Sequence, residues 1–412
     1  MVDDAGRALP ARASSSDSSV APARFSRPFA AARAADGVTF VAGLVVPRGT
    51  ITVTALGPDG ATRWTRDVIT GIAWTANATL AVVRAKASAI VVWRGLRAGQ
   101  EVTIAVTIGP DGRVDGEPFA VGAAACTTGS ELAWIDRDAK SGWVVRTQAF
   151  DAHPHAPVAA LTLSEDRDPA LFCGAQRVFA LGDGDTDVIL SASNAGVRAP
   201  AIRVIQDSDF RGDDQRGHEL YAVGDVLGIV RIGTEGSLAS REVTEGHASP
   251  WHRFGRKLTE ADDVTLVDAD DRSAVVAFTR ETGAVGDSSG VSSLEAFVWE
   301  RAGSRSVSYR LAPPDASRVR GPFWSGAVPG GGVVVGWAER SARSDSGEAP
   351  IVGLSYRTVS VDALGDVHQL ERPADELVDA GCDDKHCYAV ALARAVGEDG
   401  GQPEVAQVVA YP

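Results

Sequence analysis

The sequence predicts an all-β chain assembled from seven or eight repeated four-stranded units. Three observations carry that prediction: one strand-and-turn segment has a near-copy further down the chain, a short apolar strand recurs eight times, and helical periodicity is almost absent.

The near-copy pairs TITVTALGPDG at residues 50–60 with EVTIAVTIGPDG at 101–112. The two Gly-Pro-Asp-Gly ends, Gly57–Gly60 and Gly109–Gly112, lie 52 residues apart. Alternating β-branched residues read as a half-buried strand. The end reads as a turn in which Pro presets φ and the second Gly supplies a positive φ. Softer versions follow at Asn194–Gly196, Thr234–Gly236, Ala302–Ser304 and Asp362–Gly365.

The recurring apolar strand appears as TFVAGLVV (39–46), AIVVWRG (89–95), ELAWIDRD (131–138), RVFALGDGD (177–185), ELYAVGD (219–225), SAVVAFTRE (273–281), GVVVGWAERS (332–341) and CYAVALARA (387–395). A single helical turn is expected near 253–260, and no amphipathic helix elsewhere. Tandem four-stranded units of 40 to 60 residues are the pattern of propeller blades, which bury one another's faces when stacked radially. The expected architecture is a single β-propeller over residues 25–412, preceded by a disordered tether over 1–24. Its last unit ends after a third strand, so residues near 23–28 are expected to supply the fourth and close the ring. A row of sandwich domains would instead show linkers every 90–100 residues, and none is visible past residue 25.

Hydrophobic residues make up 44% of the chain and charged residues 23%, the balance of a globular protein. No apolar run is long enough for a transmembrane segment. A formal net charge of −14 repels phosphate, which argues against nucleic acid as a partner.

The four cysteines, Cys126, Cys173, Cys382 and Cys387, have neither C-x-x-C nor structural-zinc spacing. Cys126 and Cys173 fall at equivalent places in adjacent units, and Cys382 and Cys387 flank a four-residue polar turn. The expected disulfides are therefore Cys126–Cys173 and Cys382–Cys387. Disulfides persist in oxidising compartments, so the chain is expected in the periplasm or at a bacterial cell surface. The first 22 residues lack the apolar core of a signal peptide; a leader removed ahead of the mature chain is one explanation.

Chemistry-bearing motifs are sparse. Asp183, Asp185 and Asp187 have the alternate-carboxylate spacing of calcium loops, although Val188 stands where such a loop has its glycine. An acidic hairpin turn is the competing reading. His153 and His155 suit either a metal or a rigid turn. Gly286–Gly290 matches G-x-S-x-G without the strand and helix a nucleophile elbow needs. Arg211–Asp213 spells an adhesion tripeptide by composition alone. The segment EGHASPWHRFG (245–255) is a long connection carrying an aromatic and several cations. Trp251 and His252 within it, and Trp324, expected in a loop beside Ser and Gly, are the candidate ligand-binding residues. Trp93, Trp134, Trp299 and Trp337 are expected to pack between units.

In repeat pattern the chain resembles secreted bacterial β-propeller proteins of unassigned role over residues 25–412. The WD40, kelch and Asp-box signatures are absent. One unit, GPDGATRW (57–64), has the Gly-x-x-x-Trp ending of quinoprotein-type blades, while Gly116 stands at the corresponding place in the next. The disulfide-ready cysteines, the N-terminal tail and the lack of a convergent acid, base or metal set lead to the expectation of an exported, non-enzymatic binding or scaffold protein that holds a protein or glycan on its loop-rich face, with no cofactor apart from calcium at Asp183, Asp185 and Asp187. The alternative is a carbohydrate-active hydrolase or lyase with carboxylates gathered at the propeller channel.

Overall fold

The computed structural model describes residues 26–411 outside a set of connections, the longest being 150–157, 164–169, 182–188, 204–214, 282–290, 342–350, 371–375, 383–386 and 395–402. Its strands fall into consecutive antiparallel groups. The first is β1 (Ser26–Arg33), β2 (Thr39–Val45), β3 (Thr50–Leu56) and β4 (Thr62–Thr70), hydrogen-bonded in that order. The second contains β5 (Ile72–Ala73), β6 (Thr79–Ala85), β7 (Ser88–Arg97), β8 (Gln100–Ile108) and β9 (Val114–Ala120), with both β5 and β6 on β7. The third is β10 (Ala125–Thr127), β11 (Glu131–Asp138), β12 (Gly142–Ala149) and β13 (Val158–Leu163).

Short ladders follow: β14 (Ala170–Cys173) with β15 (Val178–Leu181), and β16 (Ile189–Leu190) with β19 (Ile202–Arg203). Between the latter two, β17 (Ser193–Asn194) pairs β18 (Val197–Arg198). A five-stranded sheet then joins β20 (Gln215–Val223), β21 (Val226–Gly233), β22 (Ser237–Thr244), β23 (His247–Ala248) and β24 (His252–Lys257). The chain continues with β25 (Asp262–Ala269), β26 (Ser273–Glu281), β27 (Ser292–Glu300) and β28 (Ser306–Ala312). The next sheet is β29 (Arg318–Val328), β30 (Gly332–Ser341), β31 (Ile351–Val359) and β32 (His368–Leu370). The last is β33 (Glu376–Cys382), β34 (Cys387–Arg394) and β35 (Pro403–Tyr411).

The paired turns form as their residues dictate. Gly60 and Gly112 have φ of 77° and 80°, the left-handed region that a side chain disfavours. Both turns close with the same two bonds: the N–H groups of Gly60 and Gly112 donate to Gly57 and Gly109 carbonyls, and those of Gly57 and Gly109 donate to Ala61 and Arg113.

In six of its eight occurrences the recurring apolar strand has a sheet partner on either side, and in β26 it is buried on both faces. Ala274 to Phe278 of β26 are all buried. Val275 and Ala277 point toward the following sheet, where they meet Val333, Val335 and Trp337. Alternation therefore carries apolar residues on both parities, and the strand reads as an unbroken hydrophobic run. The same sheet-on-sheet packing joins Ile90 and Val92 to Leu132 and Trp134, and Ala133 and Ile135 to Val178 and Ala180. Trp93, Trp134 and Trp337 are among the largest fully buried side chains, and Trp299 is nearly so. Each large apolar side chain so buried contributes about 1.5–3 kcal/mol.

The chain divides into two compact units, one holding Met1–Val45, Thr52–Arg66 and Thr259–Pro412, the other Val46–Ile51 and Asp67–Leu258. Within the first, β25 lies against β29, β29 against β33 and β33 against β1, so the last and first sheets are neighbours. The chain ends meet side by side rather than by strand donation. Ser26 pairs with Leu44, which places residues 26–28 in the first sheet, and the last sheet keeps three strands among the described residues. The helical turn expected near 253–260 is instead β24, because residues 252–257 find backbone partners along β22.

Candidate binding surface

The segment singled out around Trp251 is built on β22 of the second unit. Beyond Thr244 the chain returns along β22 in two pieces, β23 opposite Val243 and Thr244, and β24 opposite Ser237 to Ser240. Ser249 and Pro250 interrupt the return. The Ser249 N–H donates to the Glu242 carbonyl at 2.8 Å, and its hydroxyl accepts from the Glu242 N–H at 2.9 Å. Pro250 has no N–H to offer, so the ladder ends here and restarts at His252.

Trp251 turns inward at this break. It is half-buried and packs against a cluster containing Phe179, Leu227, Ile229 and Val243. The Arg241 guanidinium covers its ring at 4.7 Å and donates from Nε to the Ser249 carbonyl at 2.8 Å. A cation held over an indole in this way contributes about 0.5–1 kcal/mol at a half-exposed site. His252 is exposed, its ring 4.7 Å from that of Phe254. Arg253, Gly255 and Lys257 are exposed, while Phe254 and Arg256 are half-buried. Within six residues, HRFGRK carries four basic groups and no acid, in a chain of net charge −14. Trp251 and His252 are thus brought together with Arg241, Arg253, Arg256 and Lys257. The missed signal was the absence of any carboxylate across 252–257.

Trp324 is not part of this surface. It lies on β29 rather than in a loop and is 7% exposed, with its indole over Gly336 of β30. Glycine is required there, since a Cβ at Gly336 would run into the Trp324 ring.

Two carboxylates of the first unit, Asp262 and Asp268, contrast in their surroundings. Asp262 accepts from Arg280 Nε at 2.7 Å, and Arg280 also reaches Glu295 at 3.1 Å. Burial alone would raise the Asp262 carboxyl, but the Arg280 guanidinium and the Thr259 amide outweigh it and hold it below its ordinary value. Asp268 behaves oppositely. Burial pushes its pKa up and neighbouring Asp270 adds to this, against hydrogen bonds from Ser325 and the Ala269 amide. Asp270 caps the following turn through the Arg272 and Ser273 N–H groups.

Cys126 and Cys173 form a disulfide, with Cα atoms 5.7 Å apart. The β33–β34 register sets Cys382 directly opposite Cys387. Asp183, Asp185 and Asp187 lie outside the described residues, as do His153, His155, Gly286–Gly290 and Arg211–Asp213. Among the described residues no group of three metal-ligating side chains occurs, and no helix is long and apolar enough to cross a membrane.

No family model and no curated protein matches the sequence. Among solved structures, one of two prolyl endopeptidases is similar over 92% of this chain and 55% of its own, at 12% identity and a TM-score of 0.51. This chain therefore spans about half the length of that enzyme. Together with the serial four-stranded antiparallel sheets, that likeness decides the architecture. The chain folds as a β-propeller. Weaker similarity extends to the β-propeller domain of the Trilobed protease from Pyrococcus furiosus, at 7% identity over 82% of this chain and 94% of that one, TM-score 0.45. The WD40 domain of SCAP from fission yeast is similar at 9% identity over 74% and 78%, TM-score 0.45. In this propeller β24 is an outer strand, bonded to β22 alone among the described residues.

Proposed function

We propose that this propeller is a non-enzymatic binding or scaffold protein, acting outside the cytoplasm, that recognises a protein or glycan through the surface around β22–β24. The observation that carries the reading is the run of basic residues on an outer strand of an otherwise acidic protein, with His252, Arg253 and Lys257 exposed beside half-buried Trp251 and Phe254. Rigid aromatic anchors beside arginines are the residues that dominate binding surfaces. The Cys126–Cys173 bridge supports an oxidising compartment. Residues 1–24 would serve as the tether.

The hydrolase reading rests on Asp268, an inner-strand carboxyl with a raised pKa. Two-carboxylate glycoside chemistry needs a second free acid about 5–9.5 Å away. The nearby Asp270 carboxylate is already engaged by backbone amides, so binding is the better-supported function. Fold likeness to peptidases at 12% identity transfers no activity.

The test is to probe glycan and peptide arrays with the purified chain and with an Arg253→Glu, Lys257→Glu variant. The reading expects one ligand class to be retained by the first and lost by the second. Turnover of a polysaccharide that disappears in Asp268→Asn would overturn it.

A further inference from the structure

We propose that the Asp115–Gly116 peptide of β9 is a site of spontaneous isoaspartate formation, a backbone modification that the fold permits there and opposes at Asp36–Gly37 and Asp111–Gly112. In this reaction the amide nitrogen of the glycine attacks Cγ of the protonated aspartic carboxyl. The carboxyl hydroxyl and the amide proton leave as water, and the new ring is a succinimide. Water then opens the ring at the main-chain carbonyl. The chain afterwards runs through Cγ, and the former main-chain carboxyl is free. Glycine favours the attack because it places no side chain beside the nitrogen.

Asp-Gly occurs at residues 36–37, 59–60, 111–112, 115–116, 183–184 and 399–400. Asp59, Asp183 and Asp399 lie outside the described residues. At Asp36 and Asp111 a turn ties down both reacting groups. The Gly37 N–H donates to the Ala34 carbonyl and the Gly112 N–H to the Gly109 carbonyl, each at 3.0 Å. The Asp36 carboxylate accepts from the Val38 N–H at 3.2 Å, and that of Asp111 from the Arg113 N–H at 3.1 Å. In each turn both bonds must break before nitrogen and carboxyl can meet.

Asp115 and Gly116 are exposed on β9, which among the described residues is bonded to β8 alone. The Gly109 N–H donates to the Arg113 carbonyl at 2.9 Å, which sets the parity of the ladder. Thr107 and Asp115 are therefore a hydrogen-bonded pair, and the N–H of Gly116 turns away from β8. The register breaks directly after Asp115, so that residues 116–118 stand against Val106 alone. Gly116 has a φ of 78°, the conformation for which such a bulge uses glycine. The fold thus keeps the reactive pair in place. Among the described residues no group bonds the Asp115 carboxylate. Only the ladder bond from Thr107 to the Asp115 carbonyl resists the rotation that closes the ring. The extra main-chain atom of the product enters β9 at the bulge, where no ladder partner is lost.

The experiment ages the full chain at neutral pH and physiological temperature, with a parallel sample unfolded in guanidinium chloride. Trypsin cleaves after Arg113, so Asp111 and Asp115 fall on separate peptides. Electron-transfer fragmentation of each peptide separates isoaspartate from aspartate. An isoaspartyl methyltransferase with labelled methyl donor checks the total. In the folded chain, isoaspartate at 115 is expected to form at least about threefold faster than at 36 or 111, because each of those turns must first break its two bonds. In the unfolded chain the three sites are expected to agree within about twofold, since local structure no longer decides. A smaller preference in the folded chain, or no conversion at 115 while the unfolded sample converts, would overturn the proposal. The same preference in the unfolded sample would also overturn it, because the effect would then belong to the neighbouring residues and not to the bulge.

Discussion

Removing the Cys126–Cys173 bridge should destabilise the second unit far more than its half-buried sulfurs suggest. The bridge ties β10 to β14, the first strands of consecutive groups, across a sequence separation of 47. The sheets it joins otherwise meet through Ala133, Ile135, Val145, Val178 and Ala180, with Trp143 and Leu171 packed against them. Closing a loop of that length restricts the unfolded chain by about 4 kcal/mol on a chain-entropy model. A bridge between Cys382 and Cys387, closing a loop of about five residues, would be worth only about 2 kcal/mol on the same model. Cys126→Ala with Cys173→Ala avoids burying new hydroxyls, and Cys382→Ala with Cys387→Ala is the internal comparison. Urea unfolding followed by tryptophan fluorescence, with and without reductant, gives both losses. The expectation is that the first pair loses about twice what the second does, and that reductant no longer affects the quadruple variant. A loss under about 1 kcal/mol for the first pair, or equal losses for both, would refute the reasoning.

Four further outcomes follow from packing and charge. Gly336→Ala should cost about 1–3 kcal/mol, because its methyl meets the Trp324 ring. Gly255→Ala, in open space, should be neutral or slightly stabilising, and thermal melts of the two compare them directly. Asp262 has a depressed pKa, so its contribution is present above the unfolded carboxylate value near 4 and lost as pH falls through the folded one. Wild type should therefore lose stability below about pH 4 more steeply than Asp262→Asn. Asp268 has a raised pKa, so the native state holds its proton longer and stability falls as pH rises from about 4 to the folded value. Asp268→Asn should flatten that decline, as urea titrations across the range would show.

Much of the fold was legible because central strands carry two independent signals. Six of the eight apolar runs fall on strands flanked by sheet partners on both sides, as β26 and β30 are, while RVFALGDGD begins on β15, which among the described residues pairs only with β14. The run ELYAVGD proved to be part of β20, the first strand of its sheet, where Tyr221 pairs with Gly228 and its ring fills the space that a Cβ there would take. The Gly-Pro-Asp-Gly turns were legible because positive φ leaves a residue-level mark. Terminal closure was misjudged because sequence shows that residues near 26 can form a strand, not which neighbour they pair with. The candidate site was half legible. Trp251 and His252 stood out by composition, whereas β24 was read as a helical turn because a six-residue edge strand lacks apolar alternation. Trp324 looked like a loop residue because its small neighbours, which permit close strand packing, are also turn residues.

The most direct test of the account is amide hydrogen exchange across the whole chain, with and without a saturating amount of the ligand retained on the arrays. Slowed exchange concentrated in residues 252–257, with little change in the other outer strands, is the predicted result. Protection elsewhere with none at β24 would contradict the assignment of this strand to the binding surface.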